Sequence, residues 1–260
     1  MTLNFWSKTN GIWINAISVV FGTSVGILLK NSFSLQMQIT VTQGVALMTL
    51  FIGSRMTNNL AQVQNGRIDG VVLGLLAIVL GGILGDWLQI EEKLHFIGDL
   101  LKLYFKGNGN FTEGFVAGSL LFCIGPLAVI GSLNNGLTGN NSLLLLKATI
   151  DGLAAIALSS SLGIGVGFSA FVILFYQGFI SIIAGFMVQI FPNTENDPRL
   201  LLLTGVGGLM VVGLGINLLE ITHIRVASFL PALVIAPLLY SCIYWISLLK
   251  NNIIKLLKNR

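Results

Sequence analysis

Charge is what this sequence lacks most: Asp, Glu, Lys and Arg make up 9% of its 260 residues, against roughly 25% in a soluble domain. That scarcity excludes a water-soluble globule, because there is too little polar surface to cover one. Cysteine is nearly absent too. Cys123 and Cys242 both lie inside apolar runs, which argues against a disulfide framework. The two histidines, His95 and His223, stand far apart with no HExxH context, so no metal motif and no cofactor are implied. The formal net charge of +4 is too small and too scattered for nucleic acid. Much of it sits in Lys250, Lys255, Lys258 and Arg260, where a basic cluster beside a membrane would meet anionic headgroups.

Hydrophobic residues fill 54% of the chain and glycine contributes 31 positions. Glycine destabilises a soluble helix by about 1 kcal/mol relative to alanine. In a bilayer it lets helices approach closely. A spanning helix needs about 20 apolar residues. Candidate spans fall at 11–29, 39–56, 69–88, 113–133, 142–162, 165–191, 200–219 and 226–249. The expected fold is an all-α polytopic membrane bundle of about eight transmembrane helices, a single membrane domain over 1–260. The boundary between the fifth and sixth spans is only Gly163-Ile164-Gly165-Val166-Gly167. One broken element there would give seven spans. The apolar run after the polar start Met1–Asn10 is too long for a signal-peptide core and no A-x-A-like site follows it, so it reads as a retained first helix.

The separators are short and polar: Asn31–Gln38, Asn58–Asp69, and Asn193–Arg199 with Pro192 and Pro198 at its edges. The one long connection, 89–112, has Ile90, Leu94, Ile97, Leu101 and Tyr104 at helical spacing among Glu91, Glu92, Asp99, Lys102 and Lys106. It predicts an amphipathic helix lying in the membrane interface. With eight spans, the side holding both termini has Lys8, Arg55, Arg67, Arg199 and the four tail cations, eight in all. The other side has five: Lys30, Lys93, Lys102, Lys106 and Arg225. The excess places both termini in the cytoplasm.

Small residues form stripes. Gly11, Asn15, Ser18, Gly22 and Gly26 share one face of the first span, and Gly70, Gly74, Ala77, Gly81 and Gly85 one face of the third. Close packing explains both. A narrow path lined by the first stripe, with Asn15 offering hydrogen bonds, is compatible with it. A candidate internal repeat has an offset of 162: Thr42 meets Thr204, Leu47-Met48 meets Leu209-Met210, Gly53 meets Gly215, and the amides Asn15 and Gln177 coincide. Helices one to three would match six to eight. The two helices between them would make the second copy enter from the opposite side, as in many secondary transporters.

The segment 115–178 carries the chemistry. Gly125-Pro126 falls within the fourth span and should kink or break it. The stretch Gly131–Asn140, containing Asn134, Asn135 and Thr138, carries no charge. It reads as a turn or a re-entrant loop, followed by Asn140, Asn141 and Ser142 as N-cap candidates. Lys147 and Asp151 lie four apart on one face of the fifth span. A mid-bilayer charge costs about 2.5–3.5 kcal/mol on insertion scales. Two interpretations follow: an ion pair near the headgroups with Lys147 snorkelling, or a proton or cation site in a cavity. The candidate substrate or ion pathway is therefore Asp151, Lys147, Asn15, Gly125, Pro126, Asn134, Asn135, Thr138 and Gln177.

The motif string Ser119-Leu120-Leu121-Phe122-Cys123-Ile124-Gly125-Pro126, Gly131-Ser132, Gly136-Leu137-Thr138-Gly139, Lys147, Asp151-Gly152, Ser161-Leu162-Gly163-Ile164-Gly165-Val166 and Tyr176-Gln177-Gly178 resembles bacterial membrane proteins of domain-of-unknown-function family 554. Asn15, Gly22-Thr23, Gly26 and Leu230-Pro231-Ala232 extend the resemblance over nearly the whole chain. It implies a multi-pass protein of the bacterial inner membrane and carries no catalytic residues. The family pattern tends to have an acidic residue where Asn135 and Asn140 stand, so no acidic cation site is carried over to that stretch. The expected function is transport of a small solute or ion, with proton coupling through the buried charges, and not enzymatic catalysis. The alternatives are a sensor or assembly factor acting through protein contacts, and an oligomeric channel. The implied partners are the lipid bilayer, a small solute or ion and, for a channel, further copies of the chain.

Overall fold

The computed structural model describes residues 4–30, 34–65, 68–184 and 197–244. Outside them lie Asn31–Phe33, Arg67, the expected sixth span beyond residue 184, Pro192 and the expected separator up to residue 196, the end of the expected eighth span and the basic tail. Helix α1 runs Phe5–Lys30 and α2 runs Leu35–Thr57. A short α3 (Asn59–Gln62) and the strand pair β1 (Gln64–Asn65) and β2 (Ile68–Asp69) lead into α4 (Gly70–Trp87). Then come α5 (Ile90–Tyr104), α6 (Phe111–Cys123), α7 (Pro126–Thr138), α8 (Ser142–Leu162), α9 (Gly165–Ile182) and α10 (Pro198–Leu218). The final span α11 (Val226–Tyr244) opens with a 3₁₀ turn, Val226–Phe229.

Among the described residues, seven helices are long and apolar enough to cross a membrane. The α6–α7 pair, bent by 62°, makes an eighth when counted as one broken span. The expected break is therefore real, but the expected loop is not: Gly131–Asn140 is mostly helix. Gly131 lies against Leu144 and Gly136 against the Ser181 carbonyl. Burial on two neighbouring helices overrides the weak helix propensity of Gly and Asn. The uncertain boundary resolves as a tight reversal, since α8 ends at Gly163 with φ +82 and α9 starts at Gly165. Glycine alone enters that region without strain.

Local chemistry marks the helix starts. Ser34, Asp69 and Asp197 accept the backbone N–H of Met37, Val71 and Arg199, satisfying donors that have no partner within the helix. Asn141 occupies the cap position of α8 without a side-chain cap bond, and Asn140 Oδ1 accepts the Ser142 N–H instead.

The glycine stripes do the packing. On α1, Gly22 faces the Gly152 carbonyl of α8 and Gly26 faces Ile156 and Ser159. On α4, Gly81 meets Ala232 and Gly85 meets Ser228 of α11. Outward faces are apolar: Ile17, Phe21, Leu28, Leu153 and Phe175 are exposed, as lipid contact requires.

Directions follow from these contacts. Gly11 meets Asn141 and Gly26 meets Ser159, so α1 and α8 run parallel. Lys8 meets Ser181 and Thr23 meets Gly167, so α9 runs against α1. Helices α2 and α10 are antiparallel, with Gly53 against Gly208 and Val212 and with Gly215 against Leu50 and Ala46. Counting the bent pair as one crossing, Phe5 and Tyr244 end on the same face of the bundle.

Helix α5 is anchored as well as amphipathic. Ile90, Leu94 and Leu101 join the core of α6 and α10, while Phe96, Leu100, Leu103 and Tyr104 stay exposed. Glu91 is buried and accepts the Ala227 N–H at 2.7 Å. Arg225 bonds both Asp86 and Glu92.

Candidate functional site

Four sequence-predicted residues meet in the interior, one or two from each of three helices. Lys147 and Asp151 face inward from α8, where i, i+4 spacing stacks them on one side. Lys147 Nζ lies 2.5 Å from Asp151 Oδ2. The same oxygen accepts Asn15 Nδ2 of α1 at 3.1 Å, and Asn15 Nδ2 also reaches Gln177 Oε1 of α9 at 3.4 Å. Asn15 and Gln177 are 0% exposed, Lys147 and Asp151 5% each. The lysine does not snorkel to a headgroup; its ammonium remains with the carboxylate. Breaking such a buried pair on one side costs about 3–5 kcal/mol, so the arrangement holds the two charges together.

The cluster is only partly satisfied. Asn15 Oδ1 and Gln177 Nε2 are buried without a partner, at a cost of about 1–3 kcal/mol each. Asp151 thus gains the interior partner that its burial demands, but the two amides are left half used. Cys123, a free buried thiol at the end of α6, shares a buried cluster with Leu144 and Ala155 of α8. The end of α6 at the helix break therefore packs beside α8, the helix that carries both charges. Gly125, at the break, holds φ +150, a conformation residues with a Cβ rarely adopt.

The remaining candidates are placed elsewhere. Asn135 of α7 is fully buried and clamps the start of α1: its Nδ2 donates to the Ser7 carbonyl and to Asn10 Oδ1, and its Oδ1 accepts the Gly11 N–H. Gly11 lies one turn from Asn15, about 6 Å along the axis. Ser181 adds a bond to the Lys8 carbonyl. Asn134 is half-buried and Thr138 exposed; Thr138 Oγ1 donates to the Asn134 carbonyl and accepts the Asn140 N–H. Pro126 opens α7. Half-buried Ser18, a member of the α1 stripe, and buried Ser159 tie α1 to α8 by donating to the Ala148 and Thr23 carbonyls.

Away from this cluster, a concavity of about 240 Å³ is lined among others by Glu91, His95, Glu113, Glu220 and His223. Among the described residues no three His, Cys, Asp or Glu side chains are grouped to hold a metal ion.

Apolar outer faces, seven to eight candidate membrane-spanning helices among the described residues and a buried polar centre define a polytopic helical membrane protein. The chain belongs to domain-of-unknown-function family 554: its sequence model, described as "Protein of unknown function (DUF554)", matches residues 10–241. The "Uncharacterized membrane protein YdfK" of Bacillus subtilis (strain 168) is 26% identical over 235 residues, covering 90% of this chain and 96% of the relative. The "Uncharacterized protein YqgA" of Escherichia coli (strain K12) is 27% identical over 233 residues, covering 87% and 94%. No solved structure gives a significant match.

Proposed function

We propose that this chain is a transporter that carries a small solute or ion across the bacterial inner membrane, coupled to protons through Asp151, with both termini in the cytoplasm. One observation carries the proposal: a lysine, an aspartate and two amides from three helices converge in the interior with two of their polar atoms unpartnered. Intramembrane ionisable groups are costly and mark pathways, and a purely structural centre would be expected to satisfy its own bonds.

The helix order supports the same proposal. Helices α1, α2 and α4 are followed in the second half by α9, α10 and α11, running in the opposite directions. Contacts are reciprocal at the offset of 162: Gly53 packs on the counterparts of Ala46 and Leu50, and Gly215, the counterpart of Gly53, packs on Ala46 and Leu50 themselves. In this proposal the two sets are inverted repeats, with Asn15 and Gln177 meeting at the axis between them and α6–α8 supplying the break and the charges. Midplane sites between inverted repeats, beside broken helices, are a transporter arrangement. No covalent chemistry is assigned to the chain.

The test is flux. Purified protein in liposomes with an internal pH dye should acidify or alkalinise on addition of a solute that it carries, and Asp151→Asn should abolish that signal. Liposomes that behave as empty ones towards protons, ions and a broad solute panel would overturn the proposal.

A further inference from the structure

The unpartnered atoms at the centre have a specific chemistry. Asn15 Nδ2 has two hydrogens and uses both, on Asp151 Oδ2 and Gln177 Oε1. That leaves one acceptor, Asn15 Oδ1, and one donor, Gln177 Nε2, on adjoining side chains that are each 0% exposed. Turning either amide over does not remove the problem. A reversed Asn15 would set its oxygen against the carboxylate. A reversed Gln177 would set its NH₂ against that of Asn15. The charge is equally definite. Lys147 and Asp151 neutralise each other across 2.5 Å, so the centre has no formal net charge. An added bare ion would be uncompensated in a low-dielectric interior.

We infer that the centre binds a small, net-neutral molecule of the carboxamide or urea class, whose N–H donates to Asn15 Oδ1 and whose C=O accepts from Gln177 Nε2. Such a molecule carries donor and acceptor on one planar carbon, the complement of the two free amide atoms. This deepens the transport proposal at the same site, and rests on it only in treating the occupant as cargo.

Three isosteric probes separate the possibilities on the purified full-length protein: acetamide is neutral, acetate negative and acetamidinium positive. Acetamide should raise Tm in a concentration-dependent way, by about 5–10 °C at a hundredfold excess over its Kd. Acetate and acetamidinium should do no more than sodium chloride at equal ionic strength. Gln177→Met removes the donor at similar volume. It should lose the acetamide response while its unliganded Tm stays close to wild type, because one unsatisfied donor is gone and one weakly held Asn15 hydrogen loses its acceptor. Equal or larger stabilisation by either ion, no response to acetamide, or a full response in Gln177→Met would each overturn the inference. Should Gln177→Met fail to fold, the three probes on wild type still decide. Acetamide binding without amide flux would sink the transport proposal and leave the ligand chemistry standing; ion flux without acetamide binding would do the reverse.

Discussion

Gly53 and Gly215 stand 162 positions apart in antiparallel helices, and each fits its backbone against the other's helix. A Cβ on Gly53 would lie 2.8 Å from the Val212 nitrogen, and one on Gly215 would lie 2.8 Å from Leu50 Cγ. Gly53→Ala and Gly215→Ala should therefore both destabilise, each by about 1–3 kcal/mol as overpacking does. Gly44→Ala on the same helix meets nothing within 4 Å and should be neutral or stabilise by up to about 1 kcal/mol. Melting of the three variants in detergent checks this; a tolerated alanine at one of the paired glycines and not the other would argue against the repeat.

Lys147→Met should destabilise more than Asp151→Asn. Removing the lysine strands a short carboxylate in the interior, at a cost of about 3–5 kcal/mol. Removing the carboxylate's charge leaves a lysine whose long stem can reach the interface. The double variant should recover most of the Lys147→Met loss, because no unpaired charge then remains. A double-mutant cycle on Tm provides the measurement, and simple additivity would show that the two side chains are not coupled.

Glu91→Ala should cost about 1–3 kcal/mol by stranding the Ala227 N–H. Glu91→Gln, which keeps an acceptor oxygen, should cost clearly less. Arg225→Ala should cost under about 1 kcal/mol, since its pairs with Asp86 and Glu92 are solvent-exposed and screened. Its effect should fade at high salt. An Arg225→Ala loss that exceeds that of Glu91→Ala would mean that α5 is fixed by surface charge instead.

Reporter fusions at Gly109, after α5, and at the end of the chain should report opposite sides of the membrane, as the five crossings between them require with the bent pair counted as one. The same side for both would leave one of the eight crossings unaccounted for. The helix to doubt first would be the bent pair α6–α7, whose halves are each too short to span alone.

What could be read directly from sequence was whatever the bilayer makes expensive. The fifth expected span, 142–162, coincides with α8 (Ser142–Leu162). Lys147 and Asp151 stood out as the charges inside an apolar run, and the α1 stripe was visible because small residues recur on one helix face. What stayed hidden depends on tertiary contact. Gly131–Asn140 carries the composition of a loop, and only its burial against α8 and α9 makes it helix. Asn135 looked like a pathway residue beside Asn134 and Thr138, yet it bonds the first turns of α1. The amphipathic pattern of α5 marked Ile90, Leu94 and Leu101, which pack into the core, but not the exposed Phe96, Leu100 and Leu103 or the bond from Glu91 to a backbone amide 136 residues away. No local pattern encodes such a pairing.

The clamp on α1 also sets a timetable for synthesis. The Ser7 and Lys8 carbonyls are bonded by Asn135 and Ser181, which follow them by 128 and 173 residues. At about 5–20 residues per second of translation, the first helix waits on the order of ten seconds for these partners. During that interval its Asn15 amide and bare glycine face have neither α8 nor α9 to cover them. Helix α1 thus leaves the ribosome well before the partners that lock it. A protease or insertase that inspects newborn helices would meet α1 in its least finished form.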